Sequence, residues 1–240
     1  MAQPTDQVWK EGSLAAAYLE GVRAAIPLAG EQIDVTLRLV GALDLPIRRV
    51  LDLGCGDGVL AAAITSRFPE ARATLLDFSG PMLDAARKRF ADNSQARFVC
   101  VDYGASSWTA AVRDSGPFDV VVSGYSIHHQ PDVRKREIYQ QIFELLVKGG
   151  LFLNIEHVSS PSPWVAAVND GLFIDRLHGH HQHKTRDEVA REFYHRPDKA
   201  ANILAPVEAQ CQWLREIGYA DVDCYLKIFE LATFGGRRPA

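Results

Sequence analysis

The chain of 240 residues has few cysteines and no long apolar run. Its four cysteines show no C-x-x-C spacing, so the sequence indicates neither a disulfide framework nor a zinc site, and a reducing compartment fits. No basic region followed by an apolar stretch opens the chain, and no apolar run approaches the roughly 20 residues that span a membrane. We therefore expect a cytoplasmic protein with no membrane partner.

The chain also lacks an excess of basic residues. Lysine and arginine total 26 against 30 aspartate and glutamate, which gives a formal net charge of −4 and a pI near 6.1. This balance disfavours a general affinity for the phosphates of nucleic acids. The composition, 47% hydrophobic and 23% charged, is that of an ordinary globular protein, and the length allows one large α/β domain with an inserted cap.

Between residues 48 and 156, apolar runs of strand length alternate with helical patterns. Such alternation is typical of crossover units, so we expect a parallel sheet with helices on both faces. The strand candidates are residues 49–53, 73–76, 96–101, 118–122 and 151–156, and the helical stretches between them are 59–68, 80–91, 105–114 and 132–147.

Three segments flank this core, residues 48–156, and complete a single predicted domain over residues 1–240. Residues 1–47 show the spacing of two helices, broken near Pro27 and Gly30. Residues 161–206 contain no clear strand and are predicted to form a helical cap over the carboxyl edge of the sheet. Residues 207–240 are predicted to form the last core helix, ending at Gly218, and an antiparallel hairpin of strands 220–225 and 229–234.

The most informative stretch is the glycine-rich turn after the first strand. Its glycines alternate at Gly54, Gly56 and Gly58, and Asp52 precedes them. Glycine lets the chain turn with positive φ and lets a ligand approach the backbone, while the following helix offers unpaired N–H groups. A dinucleotide fingerprint would require glycine at position 59, which is Val. Asp52 would repel a pyrophosphate, so the turn favours a ligand with a positively charged end.

This pattern resembles the first motif of the class I S-adenosylmethionine-dependent methyltransferases, an acidic residue followed by Gly-x-Gly-x-Gly. Segments 75–83, 99–103, 118–129 and 145–152 resemble later motifs of that family in order, with Lys148 where its turn usually has proline. The closing hairpin also fits, since a dinucleotide-binding domain would continue with parallel units. The resemblance implies a Rossmann-like seven-stranded sheet, S-adenosylmethionine as cofactor and S-adenosylhomocysteine as product.

The same resemblance assigns cofactor contacts to the ends of successive strands. Asp77 would accept the ribose hydroxyls, and Asp102 would accept from the adenine amino group. Tyr18 and Arg23 are similar to a lid element in the branch that includes carboxy-S-adenosylmethionine synthases and small-molecule methyltransferases. The expected cofactor-binding residues are Asp52, Gly54, Gly56, Gly58, Asp77, Phe78, Met82, Asp102, Tyr103, Ser123, Tyr18 and Arg23.

All eight histidines follow the fourth strand candidate. A histidine suits the task of removing a proton from an O–H or N–H acceptor, and strands four and five should end beneath the methyl group. The candidate catalytic residues are His128, His129, His157 and Glu156. Residues 178–183 contain four histidines and raise the question of a metal, which stays open because adjacent histidines rarely converge on one ion.

We expect methyl transfer from S-adenosylmethionine to a small-molecule acceptor, with no nucleic-acid partner. Whether the protein forms a homodimer stays open. One alternative is carboxy-S-adenosylmethionine synthesis, which needs an arginine to hold a carboxylate over the sulfonium. The candidates for that role are Arg23, Arg176, Arg186, Arg191 and Arg196. The others are methylation of RNA or protein, and a non-catalytic subunit that binds the cofactor.

Overall fold

The computed structural model describes residues 26–195, 199 and 202–240. The lid candidates Tyr18 and Arg23, and the first of the two predicted N-terminal helices, lie outside these ranges.

Seven strands form one sheet in the order β3-β2-β1-β4-β5-β7-β6. Strands β1 to β5 run parallel, and β7 pairs antiparallel with both β5 and β6. This arrangement confirms the predicted Rossmann-like sheet with an antiparallel C-terminal hairpin. The strands are β1 (Arg49–Leu53), β2 (Arg72–Asp77), β3 (Ala96–Cys100), β4 (Phe118–Gly124), β5 (Leu146–His157), β6 (Ala220–Ile228) and β7 (Leu231–Arg237).

The helices within the described ranges begin and end at recognisable signals. Ser79 accepts a hydrogen bond from the Met82 amide at the start of one, and Gly218, with φ of 111°, ends another. None of these helices combines the length and hydrophobicity needed to cross a membrane. They are α1 (Ala29–Gly41), α2 (Val59–Arg67), α3 (Gly80–Arg89), α4 (Asp132–Leu145), α5 (Pro163–His180), α6 (Arg186–Val189) and α7 (Val207–Ile217), and a π-helical turn, Ala190–Tyr194, follows α6.

Two local predictions were wrong. The helix expected over 105–114 is instead a pair of 3₁₀ turns, because Trp108 is buried and its indole Nε1 donates to Gln141 Oε1 at 2.6 Å, which holds the segment against α4. Strand β5 begins five residues earlier than expected. The predicted turn at Gly149 is a bulge within the strand, where Gly149 has φ of 78° and its amide donates to the Arg238 carbonyl.

Both faces of the sheet are buried, as near-continuous apolar strands require. Successive residues of β5 alternate between two clusters: Phe152 packs with α4 and α7, and Leu151 and Leu153 pack with α1 and α2. The cap segment α5 and the turn after α6 share a smaller cluster of their own around Leu177. The core therefore holds the strand ends rigidly, and the cap is placed beside them.

Phe152 tests the first cluster. It is fully buried, with its ring centroid 5.5 Å from that of Tyr139 and 6.2 Å from that of Tyr219. Truncation leaves a cavity, so we expect Phe152→Ala to lower the free energy of unfolding by about 3–5 kcal/mol in urea denaturation. The control Val133→Ala, at a position 72% exposed, should change it by less than ~0.5 kcal/mol. Equal effects would contradict this account of the core.

Candidate functional site

The glycine-rich turn closes back on the neighbouring strand. The amides of Gly54 and Cys55 both donate to the Leu76 carbonyl, at 2.8 and 3.0 Å. Gly54, Gly56 and Gly58 have φ of 66°, 54° and 77°, in the left-handed region that glycine adopts without strain. The turn is thus held in one shape between β1 and α2.

The three glycines differ in the space that surrounds them. A Cβ on Gly54 would collide with the Ser126 side chain, and one on Gly58 would lie 2.6 Å from Leu75 Cδ2. A Cβ on Gly56 meets no atom of the described residues within 4 Å. Gly54 and Gly58 are therefore required by packing, whereas Gly56 leaves open space at the cavity wall that a ligand can use.

Three carboxylates surround this turn. Asp52 Oδ2 accepts from the Ala61 amide at 3.0 Å, and Asp77 accepts from the Gly56 amide at 2.9 Å through Oδ2. Asp57 forms an ion pair with Arg89. The carboxylates of Asp52 and Asp77 therefore also brace the backbone. Because Asp57 is paired with Arg89, it is Asp52 and Asp77 that make this end of the cavity acidic, which suits a cationic ligand.

A cavity of about 550 Å³ opens at the carboxyl ends of β1, β2, β4 and β5, within the range of roughly 300–1,000 Å³ typical of small-molecule sites. Most of the expected cofactor residues that the structure describes line it: Asp52, Gly54, Gly56, Asp77, Phe78 and Met82. The candidate catalytic residues His128, His129 and His157 line the same cavity. Two residue sets separated by some 50 positions of sequence are thus brought to one space.

Four other expected cofactor residues lie outside the cavity lining. Gly58 packs beneath the turn, and the buried Ser123 hydroxyl donates to the Leu53 carbonyl at 2.7 Å. Tyr103 is buried with its hydroxyl 2.6 Å from Ser126 Oγ, and Asp102 Oδ1 accepts from the Gly104 amide at 2.7 Å. Direct contact of these four residues with a cofactor stays a prediction.

Helix α1 supplies a wall that sequence patterns did not indicate. Gln32 and Ile33 line the cavity, and Tyr125, in the segment after β4, donates its hydroxyl proton to Gln32 Oε1 at 2.8 Å. Tyr125 has φ of 51°, a strained value for a tyrosine and one that surrounding structure must impose. Tyr125 lay within a recognised motif, but no signal in the sequence pointed to its partner.

Glu156 is completely buried and gathers the histidines around it. Its Oε1 lies 2.5 Å from His128 Nδ1 and accepts from the His157 amide at 3.0 Å. Its Oε2 accepts from the His128 amide at 3.0 Å and from Asn154 Nδ2 at 3.3 Å. Glu156 itself is absent from the cavity lining, and its carboxylate reaches the cavity through His128, which lines it.

Burial governs the charge of this pair. It raises the pKa of Glu156 to about 7, although the hydrogen bond from the His157 amide lowers it in part. Burial also holds the pKa of His128 well below its usual value, reinforced by the neighbouring His157 and Lys135. Both groups therefore favour their neutral forms. Above pH 7 Glu156 is ionised and accepts from His128 Nδ1–H, which leaves Nε2 of His128 able to take up a proton.

His157 has a different set of partners. Its Nε2 lies 2.9 Å from Glu230 Oε2, and its Nδ1 lies 3.5 Å from Asn202 Nδ2. Asn169, on α5, donates to the same oxygen of Glu230 at 3.0 Å. Both ring nitrogens of His157 are engaged, and this cluster joins β5, β7 and the cap helix. None of Glu230, Asn169 and Asn202 stood out in the sequence.

The histidines of segment 178–183 do not form a metal site in the part of the chain that the structure covers, where no three His, Cys, Asp or Glu side chains are arranged to hold an ion. His178 Nε2 lies 3.1 Å from the Lys184 carbonyl oxygen. His181 stacks on Phe193 with ring centroids 4.1 Å apart and an interplanar angle of 11°. His181 thus backs a residue of the cavity wall.

Residues 50–150 match the family model described as a methyltransferase domain. The fold is similar to that of an O-methyltransferase family protein from Burkholderia thailandensis, with a TM-score of 0.69 and 18% identity, covering 100% of this chain and 64% of that one. Residues 50–150 thus match a methyltransferase domain, and the chain as a whole has the fold of a solved methyltransferase.

Two curated relatives are similar to this chain in sequence. The ribosomal RNA small subunit methyltransferase C of Pasteurella multocida is 30% identical over 158 residues, which are 63% of this chain and 44% of that protein. The carboxy-S-adenosyl-L-methionine synthase of Trichodesmium erythraeum is 24% identical over 216 residues, which are 88% of this chain and 80% of that protein. The chain spans less than half the length of the first curated relatives that it matches.

The buried carboxyl group of Glu156 predicts that the stability of the protein depends on pH. A carboxyl group whose pKa is raised from 4.5 to about 7 stabilises the folded state fully below pH 4.5, and this contribution is lost as the pH rises to 7. Glu156→Gln removes it. We expect the free energy of unfolding of the variant, minus that of the wild type, to increase between pH 4.5 and 7, by up to about 3 kcal/mol, and to level off above. Parallel stability curves, measured by urea denaturation, would contradict the assignment.

Proposed function

We propose that the protein transfers the methyl group of S-adenosylmethionine to a small-molecule acceptor, with His128 as the general base. The observation that carries the proposal is a single cavity with an acidic glycine turn on one side and the His128–Glu156 pair on the other. The two halves match the two needs of the reaction, which are a site for a sulfonium cofactor and a group that takes up the acceptor's proton.

The cofactor side fits S-adenosylmethionine. Asp52 and Asp77 would face its cationic and hydroxyl groups, Gly56 provides the close approach of backbone, and Phe78 and Met82 provide apolar surface for the nucleoside. When bound, this cofactor supplies an activated methyl group on sulfur. The acceptor's lone pair forms the new bond to the methyl carbon, and the electron pair of the broken C–S bond stays on sulfur.

Among the histidines, we assign the base to His128 because Glu156 holds its Nδ1 and can stabilise the protonated ring, which a side-chain hydrogen bond with Asn202 also favours. The acceptor's proton goes to Nε2, and Glu156 then stabilises the imidazolium. His157 instead holds the cap through Glu230 and Asn169. His129, with its ring centroid 4.0 Å from that of His128, completes the polar wall. The base-competent form predominates above pH 7, so the reaction should accelerate as the pH rises through about 7.

The alternatives receive less support. Carboxy-S-adenosylmethionine synthesis would use an arginine beside the sulfonium, but no arginine of the described residues lines the cavity, while Arg23 and Arg196 lie outside those residues. RNA methylation is favoured by the names of two relatives, whereas the acidic net charge disfavours it. The cytoplasmic location and the homodimer stay predictions of the sequence.

The cofactor assignment is tested at Gly56. A valine there is strained at positive φ and would fill space that no described residue occupies, so we expect Gly56→Val to weaken S-adenosylhomocysteine binding by ~100-fold or more, equivalent to about 2.7 kcal/mol. The circular dichroism spectrum should stay near native. Gly30→Ala is the matched control, because Gly30 also has no described neighbour within 4 Å of an added Cβ but lies in α1. Undiminished affinity in isothermal titration calorimetry would refute the cofactor site.

The base is tested at His128. For each acceptor that the wild type methylates in a panel of small hydroxyl and amine compounds, we expect His128→Gln to lower kcat by roughly 10²–10⁴-fold without changing the affinity for S-adenosylhomocysteine. His180→Gln, at an exposed position outside the cavity lining, is the control and should retain full activity. Release of S-adenosylhomocysteine is the readout. Unchanged kcat in the His128 variant would exclude it as the base, and no turnover with any acceptor would favour the non-catalytic alternative.

A further inference from the structure

The acceptor end of the cavity is lined mainly by rings. Phe173 and Leu177 project from α5, and Phe193 and Tyr194 come from the π-helical turn after α6. We call this set, Phe173, Leu177, Phe193 and Tyr194, the ring wall. It belongs to the cap, whereas the acidic groups of the cavity belong to the loops after β1 and β2. The two groups of lining residues therefore differ chemically: carboxylates line the cofactor end, and apolar or aromatic side chains, with Lys199 on the Tyr194 ring, make up the ring wall.

The ring wall is held in place from behind. One face of Phe193 is covered by His181, with the two rings nearly parallel. The Tyr194 hydroxyl donates a hydrogen bond to Asp170 Oδ1, and the Tyr194 ring centroid lies 5.8 Å from that of Phe173. These contacts fix ring orientation before any acceptor arrives, and a rigid aromatic surface binds a flat partner with little loss of conformational entropy.

Polar groups line the same cavity as the ring wall. His128 and His157, whose ring centroids are 5.8 Å apart, have the amide of Asn202 beside them. These groups can exchange hydrogen bonds with a hydroxyl. Among the described residues no arginine lines the cavity, and the charge of Lys199, which does line it, is already engaged: its Nζ lies 3.4 Å from the centroid of the Tyr194 ring and 3.5 Å from Asp170 Oδ1. The arrangement matches an uncharged compound with one polar edge.

The basicity of His128 also limits how weakly acidic the hydroxyl group of the acceptor can be. Burial disfavours the protonated form of His128, so the imidazole is a weak base. A weak base removes the proton of a phenol, with a pKa of about 10, more readily than that of an aliphatic alcohol. The electrostatics and the shape of the cavity therefore point to the same kind of hydroxyl.

Resting on the proposed function, we propose that the acceptor is a flat aromatic compound bearing a hydroxyl group, with its ring on Phe193 and its hydroxyl at His128. In the reaction the O–H proton passes to His128 Nε2, and the oxygen lone pair forms the bond to the methyl carbon. The C–S bond breaks with its electron pair on sulfur. The products are an aryl methyl ether and S-adenosylhomocysteine.

The test compares aromatic and saturated partners of one skeleton. Binding of phenol against cyclohexanol, and of 2-naphthol against decahydro-2-naphthol, is measured by calorimetry on the protein loaded with S-adenosylhomocysteine. We expect the aromatic member to bind more tightly by roughly 2- to 12-fold, the equivalent of about 0.5–1.5 kcal/mol for a ring contact. Phe193→Leu, which keeps an apolar side chain but removes the ring, should abolish this preference.

The matched control is Phe229→Leu, at a position 37% exposed and outside the cavity lining, which should keep the preference of the wild type. Equal binding of the aromatic and saturated members in both pairs would overturn the proposal, as would a preference that persists in Phe193→Leu. The affinity for S-adenosylhomocysteine is measured separately in every variant. If the wild type does not bind it, the proposed function fails, and if it binds while the ring preference is absent, only the present inference fails.

Discussion

The pairing of β1 with β4 is the constraint on which the site depends. Strands β2 and β3 lie to one side of this pair and β5 to the other, so the connections after β1 and β4 lead to opposite faces of the sheet and leave a crevice between them. The glycine turn borders it on one side and the segment after β4 on the other. The glycine turn and the segment after β4 meet where Ser126 lies against Gly54. Because His128 and His129 follow Ser126 in that segment, the shape of the turn and the position of these histidines are set together.

A second constraint arises from the burial of Glu156. An ionisable group in the interior is costly unless its hydrogen-bonding capacity is satisfied. Here its partners are the imidazole of His128, the amides of His128 and His157, and the side chain of Asn154. Because two of these residues line the cavity, satisfying the carboxylate also fixes the groups that would meet an acceptor. The buried carboxyl group of Glu156 thus affects both the stability of the fold and the electrostatics of the site.

Most of the sheet could be predicted, because buried parallel strands are continuous apolar runs separated by helical patterns. The 105–114 segment could not, because Trp108 is anchored by Gln141, 33 positions away. The glycine turn and three of the candidate histidines, which the sequence singled out separately, line one cavity in the structure. Ser123 and Tyr103 carried the same signal but lie outside the cavity lining. Glu230, Asn169 and Asn202 carried none, because the residues that they hydrogen-bond are 45 or more positions away in the sequence.

Local patterns are sufficient where the relevant physics is local. The sequence was enough to predict the alternation of strands and helices and the glycines at positive φ, since backbone conformation and burial periodicity depend on near neighbours. It also showed Asp52 before the turn and Val59 where a dinucleotide fingerprint has its third glycine. Tertiary structure decided that His128 pairs with the buried Glu156, whereas His157 pairs with Glu230 and through it with Asn169 of the cap. That distinction depends on strand register and on side chains that meet only after folding, such as Glu230 with His157.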